Sequence, residues 1–400
     1  MTRYSLFSIV LLFAPSAVHA QNDLKVSSDF PGGSARVESI DQQSRTITLL
    51  PFPHKDRGFI CWWYLKVEGI QPGETLTLDV GGGVWATPDQ ASYSLDNKTW
   101  KLSSPGKRAK DRITYQIKVD GKEAWFAWGP PFVLQHANDL VQRTAKDSPH
   151  AVAFELCKSN GGRIVPALKV SQAGVKDEER LGVWVQARQH AWEAGSSWVG
   201  KGFVDWLVSN DPAAEALRKK AVVYIVPIMD VDNVETGAGG KNQKPHDHNR
   251  DWSEKPVYAE VAAAQKQLGE LHKARRLDLF VDLHNPGAGD RQPFFFTPAV
   301  ERMDPAARNN MDRFLAACRQ EIAGPLKLAP KSRDSGSNYD PLWEKISTNW
   351  VVTNCKSHVV GVCLETSWNT PQSTTENYQR VGKELGLAIE RCFREETRPK

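Results

Sequence analysis

No C-x-x-C pair occurs among the six cysteines, Cys61, Cys157, Cys318, Cys355, Cys363 and Cys392. That absence excludes a cysteine-rich structural zinc site and a thioredoxin-like redox role. Lysine and arginine form no dense run, and the net charge is only +4 over 400 residues. Neither nucleic acid nor an anionic membrane is indicated as a partner. Internal repeats and low-complexity tracts are missing. One apolar run, Leu6 to Phe13, stands out near the start, and it is shorter than the roughly 20 residues a membrane-spanning helix needs. No later stretch is long and apolar enough to cross a bilayer.

That run follows Arg3 and closes on Val18-His19-Ala20, a small-residue cleavage pattern. Residues 1–20 therefore read as a secretory signal, with the mature chain starting near Gln21 and destined for the periplasm or the exterior. Export makes disulfides possible. Buried thiols packing as small hydrophobes are the other reading, and spacing does not decide between them.

From about 24 to 130 the pattern is short and β-like. Phe59 to Leu65, Thr75 to Val80 and the alternating Ile113, Tyr115, Ile117 and Val119 are separated by Pro31-Gly32-Gly33, Gly81-Gly82-Gly83 and Asp120-Gly121. This predicts an antiparallel β-sandwich over 21–133, with Trp62 and Trp63 as packing residues. Gly129-Pro130-Pro131 marks the boundary.

From 134 to 400 apolar strand-like runs alternate with helical ones. Leu181 to Val185, Val222 to Ile228, Leu277 to Leu283 and Val359 to Leu364 are unalternating and predict buried strands. Helices are predicted over Ser197–Val208, Val257–Leu271, Pro305–Ile322 and Thr374–Phe393, the last with Tyr378, Val381, Leu385, Ile389 and Cys392 on one face. The fold class expected is α/β, a mixed, largely parallel sheet flanked by helices, preceded by the sandwich.

Four segments carry chemistry. His190 and Glu193 offer an imidazole and a carboxylate three residues apart, just after an expected strand. Ten His and 47 acidic residues supply about one such H-x-x-[D/E] by chance, so position matters more than the motif. His284 ends a second expected strand, and ligands in open α/β sheets bind beyond the carboxyl ends of strands. Two His and one Glu leave a coordination position open, as catalytic zinc requires. Glu365 ends a further strand, where burial would raise its pKa toward a useful range for a general base. In Asp247-His248-Asn249-Arg250-Asp251-Trp252 a guanidinium sits beside an amide, suited to gripping a carboxylate.

Together and in this order, His190-x-x-Glu193, Asn249-Arg250, His284 and Glu365 resemble the zinc metallocarboxypeptidases of the carboxypeptidase A superfamily. The likeness is greatest to the cytosolic-carboxypeptidase-like branch, whose members join a β-sandwich to the peptidase domain. Asp29-Phe30-Pro31-Gly32-Gly33, Trp125-Phe126-Ala127-Trp128 and Ala187-Arg188-x-His190-x-x-Glu193-x-x-Ser196-Ser197-Trp198 resemble its wording across nearly the whole mature chain. The resemblance implies one Zn2+ per chain on His190, Glu193 and His284, and Glu365 as general base. It also implies Asn249 and Arg250 on the substrate's terminal carboxylate, and Asp247 holding the His190 imidazole from outside. The implied substrate is the C-terminus of a peptide or protein.

Two departures stand out. The family often has H-P-G-E where this chain has His190-Ala191-Trp192-Glu193. Many members also carry an Arg shortly before N-R for the oxyanion, whereas Val234 to His248 contains only Lys241 and Lys244. Lys241 is the candidate substitute, and Tyr339 the candidate for a substrate-closing tyrosine. A related zinc amide hydrolase, such as an aspartoacylase-like deacylase or a cell-wall peptide hydrolase, is the rival enzyme. A polymer-binding protein built on the Trp-rich sandwich is the non-enzymatic one.

Overall fold

The computed structural model describes residues 22–177 and 180–394. The expected signal, 1–20, lies outside the described residues. Ten short strands come first: β1 (Lys25–Ser27), β2 (Arg36–Asp41), β3 (Thr46–Leu50), β4 (Tyr64–Glu68), β5 (Glu74–Gly81), β6 (Ser92–Ser94), β7 (Lys101–Leu102), β8 (Lys107–Ala109), β9 (Arg112–Val119) and β10 (Glu123–Ala127). They form two five-stranded sheets, ordered β1-β4-β10-β6-β7 and β2-β3-β5-β9-β8. Alternation sets which side faces inward: Ile113, Tyr115, Ile117 and Val119 of β9 are buried, while Gln116 and Lys118 are exposed. Strand pairing is antiparallel throughout except that β3 and β5 run parallel. The chain between them crosses to the other sheet to lay down β4, so it returns in its original direction.

Phe59 to Trp63 is not part of a strand, contrary to the expected run from Phe59; pairing starts only at Tyr64. The backbone just before it is used elsewhere. Phe59 N–H donates to Lys241 O at 2.9 Å, Gly240 N–H to Arg57 O at 2.9 Å and Lys244 N–H to Asp56 O at 2.9 Å. Trp62 and Trp63 are buried in the core of the first half.

The second half adds α1 (Leu134–Asp147), β11 (Ala151–Lys158), β12 (Ile164–Val170), β13 (Leu181–Ala187), α2 (Ala194–Leu207), α3 (Pro212–Lys220), β14 (Ala221–Val226) and α4 (Val231–Thr236). After these come α5 (Ala259–Lys273), β15 (Leu279–His284), β16 (Phe294–Thr297), α6 (Pro305–Glu321), β17 (Arg333–Asp334), α7 (Ser347–Asn354), β18 (Val360–Glu365) and α8 (Thr375–Phe393). Its eight strands are ordered β11-β12-β14-β13-β15-β18-β16-β17. The centre, β14, β13, β15 and β18, is parallel. Every residue of these four strands is buried, because helices cover both faces, and this is why their sequences do not alternate.

Helix α2, which follows His190 and Glu193, packs against α8 at unusually short range. A Cβ on Gly202 would meet Gln379 O at 2.0 Å, and one on Gly382 would meet Val199 O at 2.0 Å. Glycine at both positions lets the two backbones touch, and this seats the N-terminus of α2, whose N-cap is Glu193.

Two apolar cores result, one from Leu24 to Trp128 and one from Phe132 to Phe393; Trp192, Ala194, Ala288 and Trp368 of the second half enter the first core. No disulfide joins the described cysteines, and Cys61, Cys318, Cys355 and Cys363 are buried thiols. Among the described residues no helix is long and apolar enough to cross a membrane.

Candidate metal centre and substrate cavity

The carboxyl ends of the parallel strands converge on one cavity of about 290 Å3. β13 ends at Ala187 and leads into the loop carrying His190 and Glu193, while β15 ends on His284 and β18 on Glu365. The last two are register partners on neighbouring strands, so their side chains share a face. Arg188, with φ +63°, anchors the first loop: its guanidinium donates to Phe132 O at 3.0 Å and from Nε to Ala191 O at 3.0 Å.

His190, Glu193 and His284 are buried and offer ligand atoms within 4.8 Å of one another. His190 Nδ1 lies 2.7 Å from Glu193 Oε1, and His284 Nδ1 lies 2.8 Å from Glu193 Oε2. Burial by itself would raise the Glu193 carboxyl, but the two imidazoles pull its pKa down to about 2. Both Nε2 atoms face carboxylates: His190 Nε2 is 3.4 Å from Asp247 Oδ1 and His284 Nε2 is 3.2 Å from Asp282 Oδ2. Each imidazole is thus turned so that Nδ1 points to the shared centre. Two nitrogens and a carboxylate, with the rings oriented from outside, are a donor set that fits zinc with a position left open.

Asp247 and Lys241 stand beside this cluster. Asn242 N–H donates to Asp247 Oδ2 at 3.0 Å, and Lys241 Nζ is 3.9 Å from the same oxygen and lines the cavity. Burial acts to raise Asp247, yet His190, Lys241 and Arg250 hold it well below the ordinary carboxylate range. Asp282 was not foreseen. It accepts from Ser347 Oγ at 2.5 Å and from Gln189 Nε2. Its signal was its place two residues before His284 on one strand, which puts both side chains on the same face.

Glu365 is 8% exposed. Burial pushes its carboxyl up to about 7; Glu193 and Asp282 add to the rise, while His284 and Lys241 oppose it. Cys363 Sγ lies 3.7 Å from Glu365 Oε1.

Asn249 and Arg250 line the same cavity. Asn249 Oδ1 accepts from Ser347 N–H at 2.9 Å, and its Nδ2 lies 3.4 Å from His284 Nε2. Arg250 donates from Nη1 to Asn249 O at 2.9 Å and from Nη2 to Asp340 Oδ2 at 2.9 Å. Tyr339 stands over that guanidinium, 5.8 Å from ring centre to Cζ, and packs on Phe296. The Asp340 contact was not foreseen, nor was Arg333, which pairs with Asp290 at 2.5 Å and lies 3.7 Å over the Phe294 ring.

Phe59 and Trp85 bring the first half of the chain to the cavity wall. Trp192, the residue between the first two candidate ligands and the departure noted in H-A-W-E, sits 5.4 Å from Trp85, 5.2 Å from Trp128 and 6.0 Å from Trp368. Its backbone N–H donates to Gly239 O at 3.1 Å. A larger cavity, about 790 Å3, opens at the opposite end of the sheet against Leu181, Leu279 and Val360 and contains none of these residues.

Residues 137–283 match the family model described as zinc carboxypeptidase. An uncharacterized protein of Zymomonas mobilis is 29% identical over 243 residues, 58% of this chain and 60% of that protein. Cytosolic carboxypeptidase 1 of Mus musculus is 23% identical over 308 residues, 65% of this chain and 25% of that protein. The chain thus spans 60% and 25% of these relatives' length, in each case under two thirds. Among solved structures, a metallo-carboxypeptidase from Burkholderia cenocepacia shares the fold with a TM-score of 0.78 at 20% identity, over 92% of this chain and 98% of that one. A metallo-carboxypeptidase from Pseudomonas aeruginosa, solved with (2-guanidinoethylmercapto)succinic acid, has a TM-score of 0.72 at 21% identity, over 92% and 98% of the two chains.

Proposed function

We propose that the protein is a zinc-dependent carboxypeptidase that releases C-terminal residues from peptides, with Glu365 as general base. The observation that carries this is the convergence of His190, Glu193 and His284 with Glu365, Asn249 and Arg250 in one cavity. A zinc ion held by the first three would supply Lewis acidity to the scissile carbonyl and to the attacking water. Arg250 and Asn249 hold the terminal carboxylate, which places the last peptide bond before Glu365. Glu365, raised by burial, takes the proton of the attacking water at its carboxylate and returns it to the departing amine nitrogen. Lys241, a lysine where an arginine would be expected, balances negative charge developing on the carbonyl oxygen. Tyr339 closes over the bound residue.

A proposed division at 133/134 goes with this reading, the first part bracing the loop that carries Lys241. Export is proposed from the pattern of residues 1–20, and sequencing the N-terminus of the mature protein checks it; an intact Met1 in a cytosolic fraction would refute it.

The decisive experiment pairs Glu365→Gln with blocked substrates. The variant should keep its zinc and lose about 10²- to 10⁴-fold in kcat, and peptides amidated at the C-terminus should resist the wild-type protein. Equal cleavage of amidated and free-acid peptides would favour the acyl-hydrolase reading instead.

A further inference from the structure

The first half of the chain lends the cavity two aromatic rings, Phe59 and Trp85. The sequence builds a rigid seat for the second. Gly82 and Gly83, at φ +112° and +78°, turn the chain out of β5 into a short 3₁₀ turn, Val84–Ala86. Two buried indoles hold this turn: Trp128 Nε1 donates to Trp85 O at 2.6 Å, and Trp63 Nε1 donates to Ala86 O at 2.8 Å. Ala86 is fully buried, whereas Trp85 remains 38% exposed on this anchored backbone. The six-membered part of its indole lies against Gly287, which also lines the cavity; a Cβ there would meet Trp85 Cη2 at 3.8 Å. A large apolar face on a cavity wall that is still open to solvent gains free energy when a ligand covers it.

The two ends of the cavity are built differently. Arg250 stands with Asp340, Tyr339 and, behind Tyr339, Phe296. Trp85 stands with Phe59 at 5.5 Å and with Trp192 at 5.4 Å, the residue chained to Glu193. Gly287 follows His284 by three residues, so Trp85 flanks the two loops that carry the candidate zinc ligands. Among the described residues no ring pair joins Tyr339 or Phe296 to Phe59 or Trp85. With a terminal carboxylate on Arg250 and Asn249 and the scissile carbonyl at the cluster, the peptide on the amino side of that bond leaves past the loops of Glu193 and His284. An extended chain advances about 3.3 Å per residue, so its first two residues span about 7 Å and come alongside Trp85.

We infer that Trp85, with Phe59 beside it, forms a binding subsite for an aromatic side chain at the second- or third-last residue of the substrate. This rests on the carboxypeptidase reading. A third ring entering there extends the chain of edge-to-face and tilted contacts that already links Phe59, Trp85 and Trp192. The contact is remote from the bond that breaks and is made equally before and during the reaction, so it acts on KM rather than kcat.

The test uses the zinc-loaded, full-length mature protein and peptides with one fixed C-terminal residue. Phe, Ala, Lys or Glu is placed at the second-last and then at the third-last position. In the wild type, Phe should lower KM relative to Ala by roughly five- to tenfold at one of these positions, the scale of one aromatic pair, with kcat within about twofold. Trp85→Ala should bring the Phe-to-Ala ratio below about twofold, and Trp85→Phe, which keeps a ring, should retain part of it. An equal loss on Phe and Ala peptides in Trp85→Ala, with the ratio kept, marks a structural role and overturns the inference. Should Trp85→Ala not fold, the wild-type scan and Trp85→Phe still decide: no Phe preference at either position, or a stronger preference for Lys or Glu, overturns it. Failure to cleave any free-acid peptide overturns the carboxypeptidase reading and this inference with it; cleavage without the aromatic preference overturns only the latter.

Discussion

Asp282 offers the sharpest perturbation of the proposed metal centre, because it is not itself a candidate ligand and acts through the ring of one, His284. The carboxylate is fully buried, lies 3.2 Å from His284 Nε2, and is itself held by Ser347 Oγ and Gln189 Nε2. At an effective dielectric of about 20, unit charges at that separation interact by about 5 kcal/mol, an upper bound on what the pair can contribute. Losing an outer carboxylate from a zinc-bound histidine costs about 10- to 100-fold in metal affinity, or about 1.4 to 2.7 kcal/mol. In Asp282→Asn the volume is unchanged, but an amide oxygen replaces the charge and the imidazole loses its preference for one tautomer. The expected result is a 10- to 100-fold weaker zinc affinity by chelator competition, with the far-UV circular dichroism of the wild type. Ser347→Ala should reproduce a smaller part of the loss, since it frees the carboxylate without removing it. Zinc affinity in Asp282→Asn within about twofold of wild type would refute the argument that Asp282 orients His284.

Two further outcomes follow from the same geometry. As the proposed general base Glu365 would work deprotonated, and its carboxyl is raised from an ordinary 4.5 to about 7 by burial; the charge of a bound zinc would move that value back down. kcat/KM should therefore rise with pH through a window between these two values, and a rate that is flat from pH 4 to 8 would remove Glu365 from the titrating step. Trp192→Ala takes away a ring that is 2% exposed and packs on three other tryptophans, which should cost about 3–5 kcal/mol in denaturant unfolding; a loss under about 1 kcal/mol would show that the two halves do not depend on this contact.

How far the sequence carried the reading depends on whether a signal was local. The central strands were legible because β13, β14, β15 and β18 are buried on both faces, and a strand buried this way must be continuously apolar. His284 and Glu365 were legible for the same reason, as polar residues at the ends of apolar runs. Antiparallel β11 and β12, at the edge of the sheet, have no such uniform burial, and their patterns are mixed. Short α7 has no long apolar stripe to announce it, yet it delivers Ser347 to both Asn249 and Asp282 and places Thr348 in the wall. Least legible was the junction. Phe59 to Trp63 has the composition of a strand, but Gly58 at φ +89° turns the chain so that backbone groups before Tyr64 pair with Gly240 to Lys244. Trp192 belongs to the same junction. In H-A-W-E it occupies a position between two candidate ligands, where a bulky ring has no local purpose; its purpose is 64 to 176 residues away along the chain, on Trp128, Trp85 and Trp368. Because that ring is chained directly to Glu193, the packing of the first half fixes where a ligand of the proposed zinc sits, and a sequence window of any ordinary length contains only one side of that contact.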